Sequence, residues 1–154
     1  MCGIAGIVSK KQTNVNSYLK SMVSSMTHRG PDADGFQIKG SLGFGHRRLS
    51  IIDLNDRSNQ PFFSNDKRYS IVFNGEIYNY LDLKEEIGGK YKFKTNSDTE
   101  VLLAAYIIYG KSFIDRTNGC FSFAIYDSQQ NIIFFARDRL GIKPFYFYFD
   151  KDFF

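Results

Sequence analysis

An apolar run, Gly3-Ile4-Ala5-Gly6-Ile7-Val8, begins two residues into the chain, rich in β-branched side chains and free of charge. That is the pattern of a buried strand, not of a loose terminus. It would pin the start of the chain inside the fold. Cys2 stands directly before it, preceded only by Met1. A small second residue is the kind whose initiator methionine is trimmed. Trimming would leave a thiol and a free α-amine on one residue, so that nucleophile and base come together. With a reference pKa of ~7.7–8.0, such an amine is partly unprotonated near neutrality and can take the thiol proton. An incidental cysteine on a solvated tail is the alternative, and the strand pattern argues against it.

The pattern continues as strands and helices in blocks. Asn16 to Met26 has apolar residues at helical spacing, ended by Gly30-Pro31. Phe36–Ile38, Leu42–Arg48 and Leu49–Leu54 read as short strands. Tyr69–Phe73 reads as a strand running into Asn74-Gly75-Glu76. A short helix starts at Asn79 or Tyr80 and closes at Gly88-Gly89. Ser97-Asp98-Thr99-Glu100 fits a capping box before a helix, apolar nearly all round, that ends at Gly110. Cys120–Asp127, Ile132–Arg137 and Pro144–Phe149 read as three more strands. Blocks of this kind predict antiparallel sheets covered by helices, not a regular β-α-β alternation.

At 154 residues, one domain is expected, 1–154. The net charge of +4 is spread without a run of like charges, which argues against a dedicated nucleic-acid module. No apolar stretch approaches the ~18 residues of a membrane span, and no basic leader precedes the first strand. Two cysteines make no disulfide framework, and a free thiol favours the cytoplasm. Cys120 reads as a small core residue. His28 and His46 show no metal-ligand spacing with the cysteines, so no metal is expected. Twelve of the last 34 residues are Phe or Tyr, and Asp150 to Phe154 reads as a hairpin turn without a return strand. The expectation is a piece of a longer protein, truncated at the C-terminus.

Three groups could serve a thiolate attack on a carbonyl. Asn74-Gly75 could supply a side-chain amide and a backbone N–H to an oxyanion, or could be a plain hairpin turn. Asp98, in the first turn of a helix, could be a counter-ion or only a helix stabiliser. Arg48 could clamp a carboxylate or lie solvated at the surface. Together they suggest a pocket for an amino acid, its α-carboxylate on Arg48, its α-ammonium on Asp98, and a side-chain carbonyl among Cys2, Asn74 and Gly75.

Seven segments in order then carry a resemblance. Met1-Cys2-Gly3-Ile4-Ala5-Gly6, His28-Arg29-Gly30-Pro31-Asp32, His46-Arg47-Arg48-Leu49-Ser50-Ile51-Ile52-Asp53, Gln60-Pro61, Phe73-Asn74-Gly75-Glu76-Ile77-Tyr78-Asn79, Ser97-Asp98-Thr99-Glu100 and Arg137-Asp138-Arg139-Leu140-Gly141-Ile142-Lys143-Pro144 resemble the glutaminase domain of glutamine-hydrolysing asparagine synthetases. These are class II glutamine amidotransferases, N-terminal-nucleophile hydrolases. The glucosamine-phosphate synthase and phosphoribosyl amidotransferase relatives share the Cys-Gly-Ile start but fit the later motifs less well.

The resemblance implies an α+β fold, a four-layer αββα sandwich of two antiparallel sheets flanked by helices. It implies Cys2 as nucleophile, its own amine as base, and Asn74 and Gly75 as oxyanion hole. Arg48 would hold the glutamine α-carboxylate. Leu49, Ser50, Ile51 and Ile52 would line the pocket, and Glu76 and Asp98 would meet the substrate's amino end. No cofactor is implied for this domain. ATP and Mg belong to a synthetase domain in cis that activates aspartate, and a homodimer is allowed. Other acceptors, for example a sugar, are an alternative within the family. If Met1 stays attached, the alternative is a non-catalytic glutamine-binding or interaction domain.

Overall fold

A computed structural model describes residues 1–11 and 14–154. Its first element is β1 (Gly3–Val8), the expected N-terminal strand. Helix α1 (Val15–Ser25) follows, then β2 (Ala33–Lys39) and β3 (Leu42–Arg48). The three strands form an antiparallel sheet in the order β1-β3-β2, with Gly3 opposite Arg47 and Ile4 opposite His46. Leu19 and Val23 of α1 are buried with Ala5 against one face of this sheet.

The second sheet is antiparallel in the order β4 (Phe62–Phe63), β5 (Tyr69–Ile77), β6 (Gly119–Asp127), β7 (Ile132–Arg137). Side chains alternate across it, as a sheet buried on both faces requires. Ile71, Phe73, Phe121, Phe123 and Ile125 join the core under α2 (Tyr80–Ile87) and α3 (Asp98–Tyr109). Val72, Ala124 and Tyr126 face the first sheet and pack with Leu42 and Phe44 of β3. The layers are therefore helix, sheet, sheet, helix, the four-layer sandwich expected.

Two expected strands are absent. Leu49–Leu54 forms no ladder. It turns away from the first sheet, and the carbonyls of Ile52 and Asp53 are taken by the Arg48 guanidinium. Pro144–Phe149 joins neither sheet: the Arg137 side chain takes the Lys143 carbonyl just before it, and Phe145 meets β7 through its ring, stacked on Phe135. Tyr146, Phe147, Tyr148 and Phe149 lie exposed. The turn after them does form: Asp150 Oδ1 accepts the N–H groups of Asp152 and Phe153, and Phe154 exchanges backbone hydrogen bonds with Val8. Three strands are longer or newer than expected, β5 among them, which runs on through Asn74-Gly75-Glu76 to Ile77. β2 begins at Ala33, three residues early, and β4 was not foreseen at all. Among the described residues no helix is long and apolar enough to cross a membrane.

Candidate active site

The site is built around the free edge of β5. In an antiparallel strand, alternate residues direct their N–H and C=O to opposite neighbours. On β5 the odd-numbered residues face away from β6. Tyr69 N–H donates to Ser64 Oγ at 3.0 Å, and Ile71 lies opposite Phe62 of β4. Beyond that point β4 has ended. Phe73 N–H donates instead to Gln60 Oε1 at 2.6 Å, and Ile77 N–H to Asp98 Oδ2 at 3.1 Å. Gly75 is the remaining member of the series, and no partner strand lies beside it. Its N–H is directed into a cavity. The residue must be glycine because β6 lies too close: a Cβ here would stand 2.3 Å from the Cys120 carbonyl oxygen. Asn74-Gly75 is thus mid-strand and not a hairpin turn.

That cavity, of about 110 Å³, is lined by Cys2, Arg48, Leu49, Ile51, Ile52, Asn74, Gly75, Glu76 and Asp98. Every site residue expected from the sequence is there except Ser50, whose N–H donates to Asp32 Oδ2 at 2.7 Å outside the cavity. Asn74, buried, lies on the face of β5 that looks toward the first sheet. From that sheet comes Cys2. Its Sγ accepts from Leu49 N–H at 3.4 Å, and its carbonyl accepts from Arg29 Nε at 3.0 Å. Met1 is attached and also lines the cavity, with its Sδ 3.1 Å from Lys143 Nζ.

Two buried charges face this space without ionic partners. Arg48 is 5% exposed. Nη1 donates to Asn55 O at 3.0 Å and Asn59 Oδ1 at 2.7 Å, and Nη2 donates to the carbonyls of Ile52 and Asp53. It is no surface charge. It shapes the 52–59 loop, and no carboxylate among the described residues pairs with it. Asp98, also 5% exposed, has no cation beside it. Burial pushes its carboxyl up to about 6, against the lowering pull of the Ile77 and Thr99 N–H groups. Ser97 caps α3 by accepting from Glu100 N–H, so Asp98 is held at the first helical position. A buried cation and a buried anion on one small cavity cost free energy until a ligand of complementary charges fills it. A zwitterionic α-amino acid is such a ligand.

Phe73, Ser58, Gln60, Ser97, Thr99 and Lys143 also line the cavity, and the sequence points to no substrate contact for any of them. Gln60 had a signal, the Gln60-Pro61 motif, whose physical content appears only with the β5 edge. Among the described residues, no group of three metal-ligating side chains is present.

The four layers, two antiparallel sheets between helices, are an amidotransferase fold. A solved glutamine phosphoribosylpyrophosphate amidotransferase from B. subtilis, complexed with ADP and GMP, superposes with a TM-score of 0.66. It covers 83% of this chain and 35% of that one at 20% identity, a likeness of fold. The family model for the glutamine amidotransferase domain matches residues 1–154, and the chain belongs to that family. It is 43% identical over 152 residues to asparagine synthetase [glutamine-hydrolyzing] 1 of Bacillus subtilis, covering 96% of this chain and 24% of that protein. It is 40% identical over 153 residues to asparagine synthetase B [glutamine-hydrolyzing] of Escherichia coli, covering 98% and 27%. The chain therefore spans about a quarter of the length of these curated relatives.

Proposed function

We propose that the chain hydrolyses L-glutamine to glutamate and ammonia, and that Cys2 becomes the nucleophile once Met1 is removed. The free α-amine of Cys2 takes the thiol proton, and the thiolate attacks the γ-carbonyl carbon. The carbonyl electrons move onto oxygen, which is met by the Asn74 side-chain amide and the Gly75 N–H. The C–N bond then breaks, and the α-ammonium protonates the departing nitrogen as ammonia. A γ-glutamyl thioester remains. Water, deprotonated by the same amine, opens it, releasing glutamate and restoring the thiol.

Arg48 attracts the substrate's α-carboxylate, while Asp98, with Glu76 at the rim, receives its α-ammonium. Leu49, Ile51 and Ile52 wall the pocket. The ammonia passes to an ATP-dependent synthetase domain in cis that makes asparagine from aspartate; the relatives' names support the asparagine product. A thiol nucleophile has to stay reduced, which suits the cytoplasm.

The observation carrying this reading is that Arg48 and Asp98, neither with an ionic partner among the described residues, line one cavity together with Cys2 and Gly75. While Met1 is attached, the Cys2 nitrogen is an amide and no base is present. The test is intact mass together with glutamate release. The expected result is loss of one methionine, activity in the processed protein, and none in Cys2→Ala. Undiminished release by Cys2→Ala overturns the assignment.

A further inference from the structure

His46 has no role in the chemistry above, yet it is fully buried at the junction of the two sheets, 0% exposed. It sits on β3 opposite Ile4 of β1, two residues from Cys2. Its ring crosses to the other sheet, where Nε2 lies 3.1 Å from the Phe73 carbonyl oxygen. A carbonyl only accepts, so Nε2 carries the proton and donates. Burial pushes the imidazole down to about 4, which keeps it neutral with this single donor. Nδ1 has no partner among the described residues.

The same Phe73 residue is held at its N–H by Gln60 Oε1, and Gln60 Nε2 donates to Thr99 Oγ1 at 3.2 Å. Gln60 is itself seated closely: a Cβ on Gly35 of β2 would stand 1.9 Å from the Gln60 carbonyl oxygen. The Phe73 carbonyl belongs to the peptide that leads into Asn74. Both backbone groups of Phe73 on the free edge of β5 are thus clamped by side chains where β4 no longer reaches.

We propose that His46 is a positioning residue. Its hydrogen bond to the Phe73 carbonyl, with Gln60 on the Phe73 N–H, sets where Asn74 and Gly75 present their donors relative to the strand that carries Cys2. The inference rests on the oxyanion role assigned to Asn74. Donors that act on developing charge work through placement, and misplacement by ~1 Å costs ~100-fold. His46→Phe keeps the ring and removes the donor. It is expected to lower kcat for glutamine hydrolysis roughly 10- to 100-fold with KM within about twofold, the signature of a loss felt only in the transition state.

His46→Gln, which keeps an N–H at similar reach, is expected to restore most of kcat. The deciding measurement is the double variant. If His46 acts through these two donors, His46→Phe costs clearly less when added to Asn74→Ala than it does alone, the remainder falling on Gly75. Multiplying losses, an unchanged kcat in His46→Phe, or a rise in KM alone overturns the positioning role. Should His46→Phe not fold, Gln60→Met carries the same test from the other side of Phe73. Undiminished hydrolysis by Asn74→Ala would instead overturn the oxyanion assignment beneath it.

Discussion

The backbone N–H of Ile77 donates to Asp98 Oδ2 at 3.1 Å, so the first residue of helix α3 is tied to strand β5 two positions beyond Gly75. This bond spends one carboxylate oxygen on the fold and brings the anion to the cavity wall. With the substrate role proposed for Asp98, it couples stability and glutamine binding in one side chain.

The Asp98 carboxyl, raised from 3.8 to about 6, holds its proton to higher pH in the folded protein than in the unfolded chain. Its effect on stability is therefore unfavourable as pH rises through about 4 to 6, amounting to about 3 kcal/mol above that window. Asp98→Asn is expected to raise Tm at pH 7 in the absence of ligand while weakening glutamine binding. In the unaltered protein, glutamine affinity falls as pH drops below about 6, where Asp98 takes up its proton. Calorimetric titration from pH 5 to 8 checks both.

Arg48→Met removes a buried cation and leaves the Ile52, Asp53 and Asn55 carbonyls without their donor. Truncating one side of a buried charge pair costs ~2–5 kcal/mol, so glutamine affinity is expected to fall at least ~30-fold. An analogue with its α-carboxylate amidated should bind the original and the variant alike. Equal losses for both ligands would assign Arg48 to the loop alone.

Gly75→Ala sets a methyl group against the Cys120 carbonyl and the Phe121 Cα, at 2.3 and 2.7 Å. Overpacking of this kind costs ~1–3 kcal/mol. The strand must also shift at the residue whose N–H faces the cavity. Loss of glutaminase activity beyond the loss of Tm is expected, measured as kcat at a temperature well below unfolding.

At acid pH a different pair governs. Arg68 donates from Nε and Nη2 to Asp127 at 3.0 and 2.6 Å, and these bonds hold the Asp127 carboxyl down at about 2. A depressed carboxyl stabilises above its unfolded value, and that contribution is lost as pH falls from about 4 to 2. Asp127→Asn should flatten the fall of Tm below pH 4 and leave the Asp98 window unchanged.

Elements whose signal is local were legible in the sequence. The β1 run, the apolar spacing of α1 and the Ser97 cap of α3 each carry their own periodicity or capping pattern, and each formed within a residue or two of the expected bounds. The failures are tertiary. Pro144–Phe149 has strand composition but finds no neighbour, and Leu49–Leu54 is drawn aside by Arg48. The two residues of β4 are too short to show a period.

Nine of the ten candidate residues named from their motifs line the cavity, Ser50 being the exception, but the physics that places them is not in the motifs. That Gly75 is glycine for the sake of β6, and that Gln60 and His46 clamp Phe73, depends on pairings between distant segments.

The shortness of β4 has a consequence for how such a pocket can be lost. Gln60, the next residue in register to bond across to β5, offers its side-chain Oε1 rather than its backbone to the Phe73 N–H, and the ladder stops there. The proposed oxyanion donor is made by withholding a neighbour rather than by adding a group. A substitution that let the segment before Phe62 zip up against Asn74 and Gly75 would silence the proposed hydrolysis without altering any side chain assigned to the substrate.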